Sequence, residues 1–221
     1  MAYVAPTLRS VGDAVTAADQ VIIANDVLQF APFVQGVFTT EAVRNAAITS
    51  PTEGMHAYLT ASTETTAAGT DTAIPTGIQT IYDGSGWVTV TDVGSWSTGT
   101  GLRVVTNAFG ATTAAGADPS VTLRTGTSAL ISFGANYQST SSGANVLMGV
   151  AVTGASSIIA GVDPMYVISV VTNGSTYQTL QWNILINNLT AGVNTFTTQY
   201  NSGGLGTTFW YSRHMSVKGI A

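Results

Sequence analysis

Hydrophobic and polar positions alternate with a period of two through most of the C-terminal half of the chain. In 127–138, Ala129, Ile131, Phe133, Ala135 and Tyr137 fall on one side. In 145–154, Val146, Met148, Val150 and Val152 do the same, and in 180–187 Leu180, Trp182, Ile184 and Ile186 oppose Gln181, Asn183 and Asn187. Phe196, Thr198 and Tyr200 form another set, and 165–172 is a compact apolar run. Toward the end, strict alternation groups Phe209 with Tyr211, Met215 and Val217 and sends Trp210 to the opposite face. Period-two patterning in short segments marks strands with one buried face. Asn173-Gly174, Ala191-Gly192 and Ser202-Gly203-Gly204 separate them as turns. About eight such strands predict an antiparallel β-sandwich, jelly-roll-like, over 103–221.

The first 50 residues read differently. Residues 1–13 form an extended arm broken by Pro6 and Gly12. Thr16 with Asp19 fits a helix start, Val21, Ala24, Leu28 and Ala31 keep helical spacing, and Pro32 ends it. A second short helix is expected at 39–47, capped by Thr39 or Thr40, with Glu41 at the positive end of its dipole and Ser50-Pro51 beyond. Helices this short need a partner surface. An anchoring region over 1–50 follows, with Leu8, Val21, Ile22, Leu28, Phe30 and Phe33 as its candidate contacts.

Between these halves, 51–94 predicts a small hairpin region. A strand alternates Met55, Ala57 and Leu59 against His56, Tyr58 and Thr60. Residues 61–77 read as a Thr/Ala-rich loop or flap. Ile78–Tyr82 and Trp87–Thr91 flank the turn Asp83-Gly84-Ser85-Gly86. Residues 95–102, rich in Gly, Ser and Thr, read as a linker. The expected fold class is therefore mainly β: an N-terminal arm with short helices, a small hairpin region and a C-terminal sandwich.

Composition sharpens this picture. Of 221 residues only 8% are charged, against about a quarter in ordinary globular domains. Between Gly126 and Ser212 the one acidic or basic residue is Asp163. Thr, present 35 times, suits the outer faces of strands. An uncharged skin of this kind fits a multi-subunit setting. The net charge of −5 argues against a nucleic-acid partner. No apolar run approaches the ~18 residues of a membrane helix, and 1–10 lacks the pattern of a secretory signal. The absence of cysteine removes disulfides and thiolate chemistry, and two histidines are too few for a histidine-rich metal site.

Candidate chemistry is sparse. A glycosidase needs two carboxylates about 5–9.5 Å apart across one bond. The acids are scattered through loops and caps, with only Asp118 and Asp163 in the sandwich region. His56 and His214 are read as surface or interface residues, since no Gly-x-Ser-x-Gly elbow accompanies them. No catalytic residue, metal ligand or cofactor site is assigned, and an enzyme is not expected. Aromatic rings are the remaining chemistry. Trp182 reads as core, whereas Trp96 and Trp210 are the candidate contacts for a glycan.

Three stretches carry a resemblance. EAVRNAAITSPTEGMHAYLTASTE with IYDGSGWVTVT resembles a segment of tailed-bacteriophage structural proteins, in which a Ser-Pro-x-x-Gly-Met turn opens a strand and a Tyr-Asp/Asn-Gly-Ser-x-Trp hairpin closes it. MAYVAPTLRSVGDAVTAADQ resembles the N-termini of phage fibre-like and minor tail proteins. LTAGVNTFTTQYNSGGLGTTFWYSRHMSV resembles the last strands of phage head or tail appendage sandwiches. The Thr-rich insertion after Leu59 departs from the pattern. The resemblance implies a virion protein, a homotrimer anchored by its N-terminus. The expected function is a capsid decoration or cement protein, or a short head fibre, on the major capsid protein. A tail-fibre or baseplate component binding a host-surface glycan is the alternative, and a capsule depolymerase a third that the missing carboxylate pair argues against.

Overall fold

The computed structural model describes residues 36–103, 107–113, 117–163, 165–171 and 176–221. The arm and the helix expected over 16–31 lie outside them. The chain is mainly β with antiparallel sheets. In order come β1 (Gly36–Phe38), α1 (Glu41–Ala47), β2 (His56–Leu59), β3 (Thr66–Ala68), β4 (Asp71–Ala73), β5 (Ile78–Tyr82), β6 (Trp87–Thr89), β7 (Val93–Ser97) and β8 (Gly101–Arg103). Then follow β9 (Ser120–Thr125), β10 (Ser128–Ser139), β11 (Asn145–Gly154), β12 (Tyr166–Val170), β13 (Gln178–Ile186), β14 (Gly192–Asn201) and β15 (Thr208–Ile220).

Two sheets face each other. One runs β13-β10-β15-β7-β4, with β8 also paired to β15; the other runs β12-β11-β14-β9-β3. The alternating residues supply the core between them. Ala129, Ile131, Phe133, Ala135 and Tyr137 of β10 are all buried against Val146, Met148, Val150 and Val152 of β11 and Phe196 and Tyr200 of β14. Each of the Val, Ile, Met and Phe side chains among them gains roughly 1.5–3 kcal/mol by leaving water, so the period-two pattern fixes which face turns inward.

The last strand breaks that pattern. Ser212, with φ 46°, is the non-glycine residue in the left-handed region among those described. Between β10 and β15, Gly134 pairs with His214, but Asn136 pairs with Tyr211. One extra residue is therefore accommodated in β15 as a bulge. It shifts parity: Arg213, Met215 and Val217 point inward on one side of it, and Trp210 and Thr208 on the other. The grouping of Phe209 and Tyr211 with Met215 and Val217 is thereby corrected.

Two other expectations give way. Residues 61–77 are no loose flap: β3 adds to β9 at the edge of one sheet and β4 adds to β7 at the edge of the other. This strap spans both sheets along one side of the sandwich. Ser95 Oγ donates to Ala68 O, and Thr98 N donates to Thr70 Oγ1 at 2.8 Å. Gly69 makes the approach possible, because a Cβ there would fall 2.3 Å from Trp96 O. Likewise 95–102 is not a linker. Val93, Ser95 and Ser97 are buried in β7, which pairs with β15 from Val93–Val217 to Ser97–Arg213. A short Gly/Ser/Thr stretch looks like a linker until the long neighbouring strand offers it backbone partners.

The middle region forms a third sheet, β1-β2-β5-β6, in which β1 runs parallel to β2. Ala57 and Leu59 are buried as the alternation requires. Leu59 and Ile78 join the main core, so this sheet does not stand alone. At its hairpin, Asp83 Oδ1 accepts from Ser85 N, Ser85 Oγ and Gly86 N at 2.8–2.9 Å, and Gly84 takes φ 92°. Those bonds hold the Asp83 carboxyl below its ordinary range against the opposing push of burial.

Candidate functional site

The outer face of the six-stranded sheet carries the most accessible aromatic chemistry. Gly134 pairs with His214, His214 with Trp96, and Trp96 with Asp71 across four strands. A Cβ on Gly134 would fall 2.8 Å from His214 Cε1, and one on Gly94 2.9 Å from Trp96 Cη2. The two glycines thus make room for an imidazole and an indole to lie over the strands. Trp96 is 40% exposed.

Further along this face Asn136 pairs with Tyr211, and Thr179 Oγ1 donates to Asn136 Oδ1 at 2.8 Å. The Tyr177 and Tyr211 rings meet with centroids 5.3 Å apart. Burial and the Tyr177 hydroxyl raise the Tyr211 pKa. Rings flanked by hydroxyls and amides offer apolar faces for stacking and neutral groups for hydrogen bonding. Sequence reading had missed Tyr177, Tyr211 and His214 as neighbours, because the bulge at Ser212 decides that Tyr211 and His214 share a face.

Trp210 is not part of this face. It is fully buried between Tyr137 and Tyr200, at centroid distances of 5.6 and 4.7 Å. The parity shift at Ser212 turns it inward, so its selection as a glycan contact is corrected. Trp182 moves the opposite way. It shares the inward face with Leu180 and Ile184, yet is 46% exposed because β13 ends its sheet. Leu8, Val21, Ile22, Leu28, Phe30 and Phe33 lie outside the described residues.

The ionisable groups build the fold. Arg213, on the inner face of β15, pairs with Asp118, donates to Thr112 Oγ1 at 2.9 Å, and reaches Ser97 Oγ and Gly99 O at 2.8 and 3.2 Å. Burial raises the nearby Tyr200 hydroxyl pKa, with the Asp118 charge adding to it. Near α1, Thr40 caps the helix through its hydroxyl, 3.4 Å from Val43 N, as its sequence position implies. Glu41 accepts from Ser62 Oγ, from Thr63 N and Thr63 Oγ1 at 3.0 Å, and from Glu64 N at 3.3 Å. Burial pushes its carboxyl up, but these donors outweigh it and bring the pKa to about 2.

A pocket of about 360 Å³ opens between α1 and the β5–β6 hairpin, lined by Arg44, Asn45, Tyr82, Trp87 and Arg124 among others. The Arg44 guanidinium lies 4.5 Å over the Trp87 ring and donates to Thr80 Oγ1 and Asn45 Oδ1. Arg124 is held by Glu64 through two bonds of 2.8 and 3.1 Å. Both cations are engaged: Arg44 ties α1 to the hairpin, and Arg124 ties β9 to the segment that follows β2. Among the described residues no three His, Asp or Glu side chains gather as a metal site.

No family model and no curated protein matches the chain. Solved structures overlap it loosely. The Eiger TNF of S. frugiperda is 9% identical, with a TM-score of 0.34 over 46% of this chain and 64% of that one. Infectious bursal disease virus Gx strain is 12% identical, TM-score 0.31, over 64% of this chain and 41% of that one. The CBM22-1 xylan-binding domain of Paenibacillus barcinonensis Xyn10C is 11% identical, TM-score 0.24, over 57% of this chain and 87% of that one. In the first two the overlap spans less than two thirds of the matched chain. Likenesses this loose carry no argument about activity.

Proposed function

We propose that this chain is a structural virion protein of a tailed bacteriophage, a homotrimeric capsid decoration or cement protein or a short head fibre. In this reading residues 1–50 dock on the major capsid protein and the sandwich projects. The observation that carries it is the strand order. Strands β7 and β9–β15, arranged β13-β10-β15-β7 against β12-β11-β14-β9, wrap as an eight-stranded jelly roll, an architecture that recurs in viral capsid and lectin domains. Fold alone does not assign function. The near absence of charge from 126 to 212 and the sequence resemblance give the reading its direction.

The mechanism is adhesive: buried apolar area at about 25 cal/mol per Å² holds the anchor in place, and binding only the assembled shell stabilises that shell by mass action. The test replaces Leu28, Phe30 and Phe33 together with Ser and measures copies per purified particle. Loss of incorporation with an intact sandwich supports the reading; normal occupancy overturns it.

A second reading rests on the exposed Trp96 beside His214 and on the Tyr177–Tyr211 pair. It makes the protein a tail-fibre or baseplate component that holds a host-surface glycan on this uncharged face. The full chain and Trp96→Ala, compared on a glycan array, test it. Retained binding by the variant overturns the role of this face.

A further inference from the structure

The two sides of the sandwich are finished differently. On one, the β3–β4 strap extends both sheets, and Asp71 and the Glu64–Arg124 pair place charge there. On the other, β12 and β13 end their sheets and lie against each other, with the Tyr137 hydroxyl reaching both Ser169 and Gln178. Neither strand contains a charged residue or a proline. Ile168 and Val170 of β12 and Trp182 and Leu185 of β13 are about half exposed, with values of 46–54%. Leu130, across from Leu185 on the outer face, is exposed as well.

A sheet edge left to water is ordinarily blunted by charge, proline or a covering segment, because its row of unpaired amides and carbonyls templates further pairing. Among the described residues, one side of the molecule is guarded and the other carries none of these devices while exposing apolar side chains. We infer that the β12–β13 side is the surface on which copies of this chain meet, each turning it toward a common symmetry axis.

Charge decides in favour of a second copy. In a symmetric assembly, residues near the axis face their own counterparts, so any charge there repels itself. The chain carries a net charge of −5, yet of its eleven acids only Asp163 falls between Gly126 and Ser212. The β12–β13 side carries a single acid, Asp163, at its end beside Leu185 and Ile186, and is where two copies of this acidic protein approach with the least like-charge repulsion. A charge-depleted, aromatic-containing centre is also the composition of an interface core. The inference rests on the homotrimer part of the proposed function and names the surface that part requires.

The test is the mass of the full chain by light scattering across a dilution series, for wild type, Trp182→Lys, Ile168→Lys and, at the guarded side, Thr66→Lys. Wild type and Thr66→Lys are expected to run at a multiple of 22.7 kDa, and the two edge variants at the monomer mass with unchanged strand circular dichroism. Hydrogen exchange on wild type gives a check free of mutation: amides of 166–170 and 178–186 slow as concentration rises. A wild-type monomer at tens of micromolar, an unchanged mass in both edge variants, or concentration-independent exchange at those amides overturns the inference. Particle incorporation is scored separately. A monomeric chain that still enters particles defeats this surface while leaving the virion role standing.

Discussion

Arg213 and Asp118 form an ion pair sealed between the two sheets, with the arginine side chain fully buried and the aspartate nearly so. Asp118 lies just ahead of β9 in one sheet and Arg213 within β15 of the other. Thr112 closes the cluster by donating through its amide and hydroxyl to Asp118, both at 2.8 Å. Removing one partner leaves an uncompensated buried charge. Asp118→Ala is expected to cost about 3–5 kcal/mol, read from urea unfolding. Asp118→Leu combined with Arg213→Met should recover much of that loss, since a well-packed apolar pair often replaces a buried ion pair without penalty.

Glu41 links stability to acid. Its folded pKa, about 2, lies below the ordinary glutamate value of 4.5. The native state therefore holds the carboxylate more strongly than the unfolded chain does. The stabilisation is fully present above about pH 5 and is lost as pH falls toward 2, amounting to roughly 3 kcal/mol. Glu41→Gln should lower stability at pH 7 and flatten the acid limb of a plot of unfolding free energy against pH. An unchanged limb would show that the Ser62 and Thr63 bonds do not hold the charge.

Trp210 and Trp96 should separate stability from surface chemistry. Trp210→Ala empties a site between Tyr137 and Tyr200 and is expected to cost about 3–5 kcal/mol. Trp96→Ala removes a ring with a large exposed area and should shift stability by no more than about 1 kcal/mol. Thermal melts of both variants check the difference.

Gly69→Ala tests the strap. A Cβ there meets Trp96 O at 2.3 Å and Ser95 Oγ at 2.7 Å, and overpacking of this kind costs about 1–3 kcal/mol. The local readout is limited proteolysis, where cleavage within 61–77 should quicken while the β9–β15 fragment stays intact. Equal cleavage rates would mean that the strap does not need this close approach.

Ser212→Gly should stabilise the protein by about 0.5–1 kcal/mol. It relieves a left-handed backbone that costs an ordinary residue roughly 1–2 kcal/mol, and part of that gain is returned as unfolded-chain entropy. Deleting Ser212 has the opposite effect, because restored alternation would force Trp210 and Thr208 out of the core or Arg213, Met215 and Val217 with them. Urea midpoints of the two variants give both answers.

The chain by itself determined which faces of β10, β11 and β14 are buried, where α1 begins and how the Asp83–Gly86 hairpin closes. Those features depend on near neighbours: side-chain alternation, a capping hydroxyl and a turn written in adjacent residues. Tertiary structure alone decided that 95–97 is a strand paired to β15, that 61–77 straps the sandwich, and that Trp210 is inside while Trp182 stands half outside. Each depends on what lies across a sheet rather than along the chain. A single bulged serine reverses the parity of a strand without leaving a mark in its composition. Whether an inward-facing tryptophan is covered depends on how far the opposite sheet extends. Sequence periodicity assigns a side to each residue, and only the packed arrangement determines what that side meets.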